Sequence, residues 1–184
     1  ISGNGKKPLV LLHGFMENTT IWDEMEAHLS KDFTLIKIDL PGHGKSKVYQ
    51  EIHTVELMAE KVKEVIDALK LEKINLLGHS LGGYVSLAFA EKFPEILESM
   101  TLFFSTTVAD DEEKKAIRRR SIAVIDENFE TFVKTSIPNL FSNNEKDILE
   151  GKIELAKNIA KSTNKEGVKA AQLGMAERPD RTEI

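Results

Sequence analysis

The pentapeptide at residues 78–82 has the pattern G-x-S-x-G, with Ser80 at its centre. A short apolar run over residues 74–77 precedes it, and a helix-like run over residues 84–93 follows it. A serine on so sharp a strand-to-helix turn projects its hydroxyl above the end of a sheet, and the flanking glycines leave room for neighbouring backbone. The pattern alone is short and also arises by chance in loops rich in glycine and serine. Its place between a strand and a helix is what predicts a nucleophile elbow.

Apolar runs and helical patterns alternate along the chain as far as Phe104. The runs are bounded by turn residues and carry β-branched and aromatic side chains, which favours strands. Between them, apolar residues recur at spacings of three and four, which favours helices. Such an alternation predicts a mainly parallel sheet with helices on both faces, a three-layer α/β/α fold. The predicted strands cover residues 8–12, 33–38, 73–77 and 100–104.

Beyond Ser105 the pattern changes to helices with no clear strand. We therefore divide the chain into an α/β unit, residues 1–105, and a helical unit, residues 106–184. A run of arginines at 118–120 is expected to be a solvated helix face, with binding of a substrate carboxylate as the alternative. The predicted helices cover residues 110–128, 129 to a break near 138, 145–160, and 163 towards 175, the last opening with a capping box.

The composition limits which functions are open to the chain. Hydrophobic residues make up 41% and charged residues 30% of its 184 residues, and the formal net charge is -5. This mild acidity does not favour nucleic acid or an anionic membrane surface as a partner, and no apolar run has the length of a membrane span. Without cysteine there is no disulfide or thiolate catalysis, and the five histidines lack a metal-ligand spacing, so neither metal nor cofactor is expected. No signal peptide is recognisable, and a cytoplasmic location is the default expectation.

A second motif lies upstream of the elbow, where His13-Gly14-Phe15 follows the first predicted strand. The carboxyl ends of parallel strands meet at one edge of a sheet, so this turn and the elbow are expected to be neighbours. The backbone N–H groups of Phe15 and Leu81 would then converge on one oxyanion. A tight turn without a function is the alternative, but the two motifs together favour a catalytic site.

Four stretches, spread from end to end of the chain, match a known family: LVLLHGF at 9–15, DLPGHGKS at 39–46, GHSLGG at 78–83 and MAERPD at 175–180. In these stretches the chain resembles the α/β-hydrolase superfamily. It is most similar to the group of small esterases, enol-lactonases and menaquinone-pathway lyases, whose helical cap is inserted after the fourth strand seen here. The resemblance implies an α/β-hydrolase fold, incomplete within residues 1–184, with residues 106–184 as the cap.

The same resemblance implies that Ser80 is a nucleophile and that the amides of Phe15 and Leu81 form an oxyanion hole. The expected activity is that of a serine hydrolase, which forms an acyl-enzyme from a small-molecule carboxylic ester, thioester or lactone. Tyr84, Phe129 and Phe132 are candidates for substrate binding, although aromatic residues of this kind are more often part of a core. Two alternatives stay open. One is carbon–carbon cleavage or elimination of the menaquinone-pathway type, although those lyases often carry an arginine at the position of Tyr84. The other is ligand binding without catalysis.

The family supplies its triad in the order serine, acid, histidine, but no histidine follows Ser80 in this chain, since the last is His79. We do not expect His13, His43 or His79 to act as the base. The chain is therefore expected to be a fragment of a longer enzyme and inactive by itself, with a shorter non-catalytic relative as the alternative. Its fourth strand would lie at an open apolar edge, which favours self-association of the fragment.

Overall fold

Four strands form one parallel sheet in the computed structural model, which describes residues 1–184. They are β1 (Lys7–Leu12), β2 (Phe33–Ile38), β3 (Ile74–His79) and β4 (Leu97–Phe103). The order across the sheet is β2-β1-β3-β4, which confirms the predicted α/β architecture. The chain passes from β1 outward to β2 and then crosses back over β1 to reach β3. The winding of the sheet therefore reverses between β1 and β3, and ligand sites of parallel sheets lie at such a reversal.

Helices cover both faces of the sheet. The side chains of β1 are apolar on both faces, so each face must be buried against another element. Val10 and Leu12 point into the larger core cluster, whereas Leu9 and Leu11 point into a smaller one around Trp22. A continuous apolar run is what a parallel strand buried on two faces requires. No helix combines the length and the apolarity needed to cross a membrane. The helices are α1 (Asp23–Leu29), α2 (Val55–Ala68), α3 (Leu81–Lys92), α4 (Glu112–Ser136), α5 (Glu150–Ser162) and α6 (Lys165–Glu177).

The predicted helical unit contains α4, α5 and α6, with boundaries that differ in part from the prediction. A kink at Asn128 divides α4 near the predicted break, and the Asn128 side chain accepts the N–H of Thr131 to start the second segment. The first residue of α5 is Glu150, because residues 145–149 form turns. The cap of α6 is Asn164, whose side chain accepts two backbone N–H groups, and Thr163 instead ends α5.

Helix α6 packs on the core of the sheet as well as on α4. Its residues Ala171 and Met175 belong to the large core cluster beneath the sheet. The N–H of His53 donates to the carbonyl of Ala170 at 3.0 Å, which joins the loop before α2 to this helix. The helical unit therefore contacts the core of the sheet through α6 as well as through its two connecting segments.

A buried ion-pair network holds those two connecting segments together. The Asp110 carboxylate, just before α4, accepts from Arg118 Nε at 2.5 Å and from Arg178 Nη2 at 3.0 Å. Arg178 follows α6, donates to the carbonyl of Val108, and lies over the ring of Tyr84 at 3.9 Å. Arg118 therefore has a structural partner, whereas the next two arginines of the run are exposed.

The edge strand β4 is the least buried strand, with no fully buried residue along its length. It begins three residues earlier than predicted, because its polar, exposed first residues hide the apolar pattern. Phe103 and Phe104 at its end are 40% and 81% exposed. The outer backbone groups of β4 have no neighbouring strand.

We propose that residues 1–184 self-associate through β4, because an unpaired edge beside exposed aromatic rings is a template for another strand. Light scattering coupled to size exclusion should show dimers or larger species whose fraction rises with protein concentration. Thr101→Lys, in the middle of the edge, should shift the population to monomer. A strictly monomeric wild-type chain at high concentration would contradict the proposal.

Candidate active site

Ser80 occupies a strained turn between β3 and α3. Its backbone has φ +50° and ψ -112°, a conformation that non-glycine residues rarely adopt and that tends to occur at functional sites. Neighbouring groups hold it there: the Ser80 N–H donates to the Phe103 carbonyl at 3.0 Å, and Ser105 Oγ donates to the Ser80 carbonyl at 2.8 Å. The side chain caps no backbone group of α3, so its hydroxyl is not used by the fold. This is the geometry of a nucleophile elbow.

The glycines of the pentapeptide let three elements approach one another. A Cβ atom at Gly78 would meet the carbonyl of Gly82, at the start of α3. A Cβ atom at Gly82 would meet the carbonyl of Leu12, at the end of β1. The first turn of α3 therefore lies against the carboxyl end of β1, where the His13-Gly14-Phe15 turn begins. The structure thus brings the two sequence motifs together.

The backbone N–H of Phe15 points away from the Gly14 carbonyl, which accepts a bond from His13. Leu40 N–H donates to His13 Nε2 at 2.9 Å, so Nδ1 carries the proton and donates to the Gly14 carbonyl at 2.7 Å. In a trans peptide the N–H of the next residue points the opposite way. The Phe15 N–H has no acceptor in the protein, and Leu81, as the first residue of α3, has none within its helix. Both groups are therefore free to bind an anion.

The side chain of Glu17 makes a contact that the sequence did not indicate. Its Oε2 atom accepts the Gly14 N–H at 2.5 Å and also lies 2.9 Å from His79 Nδ1. Gly14 precedes Phe15, and His79 precedes Ser80. A carboxylate in a polar loop, 62 residues from its histidine partner, carries no local pattern by which it could have been found.

The three candidate substrate-binding residues lie in two different environments. Phe132 belongs to a buried cluster of the helical unit that also contains Met16, and Phe129 and Phe15 pack against this cluster. Phe132 is 8% exposed and Phe129 is half-buried, so of the two Phe129 has more free surface. Tyr84 is half-buried, and its ring is covered by Arg178, which lies in a segment that connects the helical unit to the sheet.

Three of the five histidines are buried and bonded to backbone. His13 has both ring nitrogens occupied, and burial lowers its pKa to about 4. His43 lies 3.1 Å from the Pro41 carbonyl through Nδ1 and has no partner at Nε2, and burial lowers its pKa to about 3. His53 bonds the same carbonyl, and burial lowers its pKa as well. These groups bond loop carbonyls in the neutral form, so none of the three is a base for Ser80.

A family model described as alpha/beta hydrolase fold matches residues 7–147. The chain belongs to the alpha/beta hydrolase fold family. A thermophilic esterase from Thermogutta terrifontis is 36% identical, with a TM-score of 0.93 over 99% of this chain and 67% of that one. The enol-lactonase from Burkholderia xenovorans LB400 shares the fold at 22% identity, with a TM-score of 0.88 over 98% of this chain and 69% of that one.

Curated relatives agree with the resemblance predicted from the motifs. The serine hydrolase-like protein of Mus musculus is 36% identical over 127 residues, which are 65% of this chain and 41% of that protein. The chain spans about a third of the length of the curated relatives it matches. At the level of the family, therefore, the chain is a hydrolase-fold protein with esterase and serine hydrolase-like relatives.

We expect the free energy of unfolding to decrease as the pH falls from 7 towards 5, because His13 and His43 are buried in the neutral form. The unfolded chain binds protons at the ordinary histidine pKa of about 6.5, whereas folded His13 and His43 bind them only near pH 4 and pH 3. Between those values the unfolded state holds more protons, so each of the two lowers the free energy of unfolding by up to about 1.4 kcal/mol per pH unit, a limit approached near pH 5.

Urea titrations at several pH values between 7 and 5 measure this slope directly. His43→Asn should reduce the slope by the share of one histidine, whatever its effect on stability at pH 7. A free energy of unfolding that stays constant over this range in the wild-type chain would show that the buried imidazoles take up protons as readily as free ones.

Proposed function

We propose that the protein carrying these residues is a serine hydrolase that acts on a small-molecule carboxylic ester, thioester or lactone through an acyl-enzyme on Ser80. The observation that carries the proposal is the strained Ser80 turn, packed against the end of β1 and its unoccupied Phe15 N–H. Backbone strain at a non-glycine residue tends to occur at functional sites, which favours a function for the hydroxyl. The similarity to an esterase at 36% identity supports the same reaction class.

In the proposed reaction Ser80 Oγ attacks the substrate carbonyl carbon. The carbonyl oxygen becomes an oxyanion that accepts the N–H groups of Phe15 and Leu81, and the positive end of the α3 dipole adds to this stabilisation. The leaving group departs as the carbonyl reforms, which leaves an ester on Ser80, and water then hydrolyses that ester. Each oxyanion donor is worth about 3 kcal/mol of transition-state stabilisation in such sites.

Proton transfer needs a base that residues 1–184 do not place at Ser80. The buried histidines are bonded to backbone, and His79 contacts Glu17. We therefore propose that the acid and the base come from sequence outside these residues and that the 184-residue chain alone is inactive. For the acyl group we propose the cap surface near Phe129 and Phe132 as a contact, with Tyr84 as a further candidate.

A fluorophosphonate probe tests the proposal, because it reacts only with an activated serine. The complete gene product should be labelled, and mass spectrometry should map the label to the peptide that contains Ser80. Residues 1–184 alone should be labelled far more slowly, since the base is missing. No label on Ser80 in the complete product would favour a non-catalytic binding protein. Labelling without ester hydrolysis would favour a lyase.

A further inference from the structure

We propose that Glu17 is a positioning residue that joins the turn after β1 to the nucleophile elbow and so sets the spacing of the oxyanion hole. The inference rests on the proposed function, because it concerns how the N–H groups of Phe15 and Leu81 are held relative to Ser80. Its basis is the geometry of a single carboxylate oxygen.

One atom of Glu17 receives a bond from each of the two motifs. Oε2 accepts the N–H of Gly14, the residue before Phe15, at 2.5 Å, and His79 Nδ1, in the residue before Ser80, at 2.9 Å. A hydrogen bond to a carboxylate requires that Nδ1 carry the proton. The ligand-binding amide and the nucleophile thus lie one residue away from a shared acceptor.

The segment that presents Glu17 is anchored on both sides. Before it, the Glu17 N–H donates to the Gly14 carbonyl at 3.3 Å in a turn that takes Met16 to φ +57°. After it, the Thr19 N–H donates to Asp39 Oδ1 at 2.8 Å, and Trp22 is buried under the sheet. The carboxylate is therefore held by the fold and not by the site it would organise.

The other partner of the carboxylate is also held in place. The His79 ring contacts Phe103 and Phe104, with ring centroids 5.7 and 6.5 Å away. Phe103 ends β4 and Phe104 follows it, so the imidazole lies between the edge of the sheet and the turn after β1. With both partners anchored, the Glu17 bonds hold the turn after β1 at a fixed distance from the elbow.

Such a connection matters because the two oxyanion donors come from different strands. Strand pairing places Leu12 beside Gly78, and beyond the ends of the strands Glu17 supplies the side-chain hydrogen bond that joins the turn to the elbow. A displacement of about 1 Å can cost about 100-fold in rate. A negative charge beside a developing oxyanion is unfavourable, which implies that the shape of Glu17 and not its charge is what the site requires. Since one oxygen accepts both bonds, a glutamine carbonyl in the same place can accept both as well.

Three substitutions separate placement from charge in the complete gene product, with p-nitrophenyl acetate as the probe substrate. Glu17→Ala removes the acceptor, and Glu17→Asp withdraws it by one methylene. Both should lower kcat by about 10- to 100-fold with little change in KM. Glu17→Gln should recover most of that loss. Glu154→Gln, which changes an exposed pair with Lys157 on α5, is the matched control.

Each of these measurements either supports the positioning role of Glu17 or excludes it. An unchanged kcat in Glu17→Ala, or a Glu17→Gln variant as impaired as the alanine variant, would overturn positioning by shape. Thermal unfolding of every variant identifies loss of fold, and the aspartate variant keeps the test informative if the alanine variant unfolds. Fluorophosphonate labelling distinguishes the two levels of the argument. An unlabelled wild type removes the proposed function and this role together. Equal labelling rates for wild type and Glu17→Ala remove this role alone.

Discussion

Replacing Ser80 with alanine is expected to lower kcat for ester hydrolysis by the complete gene product about a million-fold. In the proposed reaction the hydroxyl forms the acyl-enzyme, and loss of the nucleophile alone costs about as much as loss of a whole triad. The fold should survive, because Ser80 Oγ bonds no backbone group of α3 and the turn is held through the Ser80 N–H and carbonyl. Initial rates with p-nitrophenyl acetate, together with thermal unfolding, measure both effects.

The variant should keep a residual rate about a thousand-fold above water, contributed by the Phe15 and Leu81 amides and by substrate binding. Ser99→Ala is the control, because Ser99 is exposed on β4 and bonds only the side chain of Asn75. If Ser80→Ala retained a tenth of the wild-type kcat, an acyl-enzyme at this residue would be excluded.

Replacing Asp110 with alanine is expected to lower the free energy of unfolding by about 3–5 kcal/mol. The change leaves the guanidinium of Arg178 buried, with a side chain 4% exposed, and without its carboxylate. Burial by itself raises the pKa of Asp110, but the hydrogen bonds from Arg178 and Arg118 outweigh it and hold that pKa below its ordinary range. Asp110 and Arg178 are therefore both charged in the folded state. Removing one of them leaves the other charge buried without a partner.

Urea unfolding of Asp110→Ala beside Asp126→Ala gives the comparison. Asp126 also pairs with a cation, Lys169 on α6, but its side chain is 48% exposed, so its loss should cost far less than the loss of Asp110. Equal costs for the two variants would mean that the Asp110 network adds nothing beyond a surface ion pair.

The strands and the elbow could be predicted because their signals are local. The run before His13 is apolar at every position, and burial on both faces of a parallel sheet leaves few other folds for such a run. The elbow likewise follows from the spacing of two glycines about Ser80. The first residues of β4 were missed for the converse reason, since Glu98 and Ser99 are exposed at an edge and carry no apolar signal.

The contacts that complete the candidate site were not predictable in this way. Glu17 and His79 are 62 residues apart, and Asp110 and Arg178 are 68 apart. A polar residue that is bonded at long range has the same local pattern as one that is solvated, because hydrogen bonds leave no periodicity in the sequence. The partners of these polar side chains become visible only in the packed structure. There β1 lies beside β3, and the two segments that connect the helical unit to the sheet lie beside each other.

The sequence by itself determined the order of strands and helices, the strained turn at Ser80 and the family, because hydrophobic period and glycine sterics act over a few residues. The tertiary structure decided which groups surround that turn. It placed the backbone N–H of Gly14 and the ring N–H of His79 on one oxygen of Glu17 and left the Phe15 N–H without an acceptor. It also joined the two segments that flank the helical unit through the pair of Asp110 and Arg178. The physical reason is that bond directions and burial are properties of neighbouring elements, which the chain acquires only when the sheet is assembled.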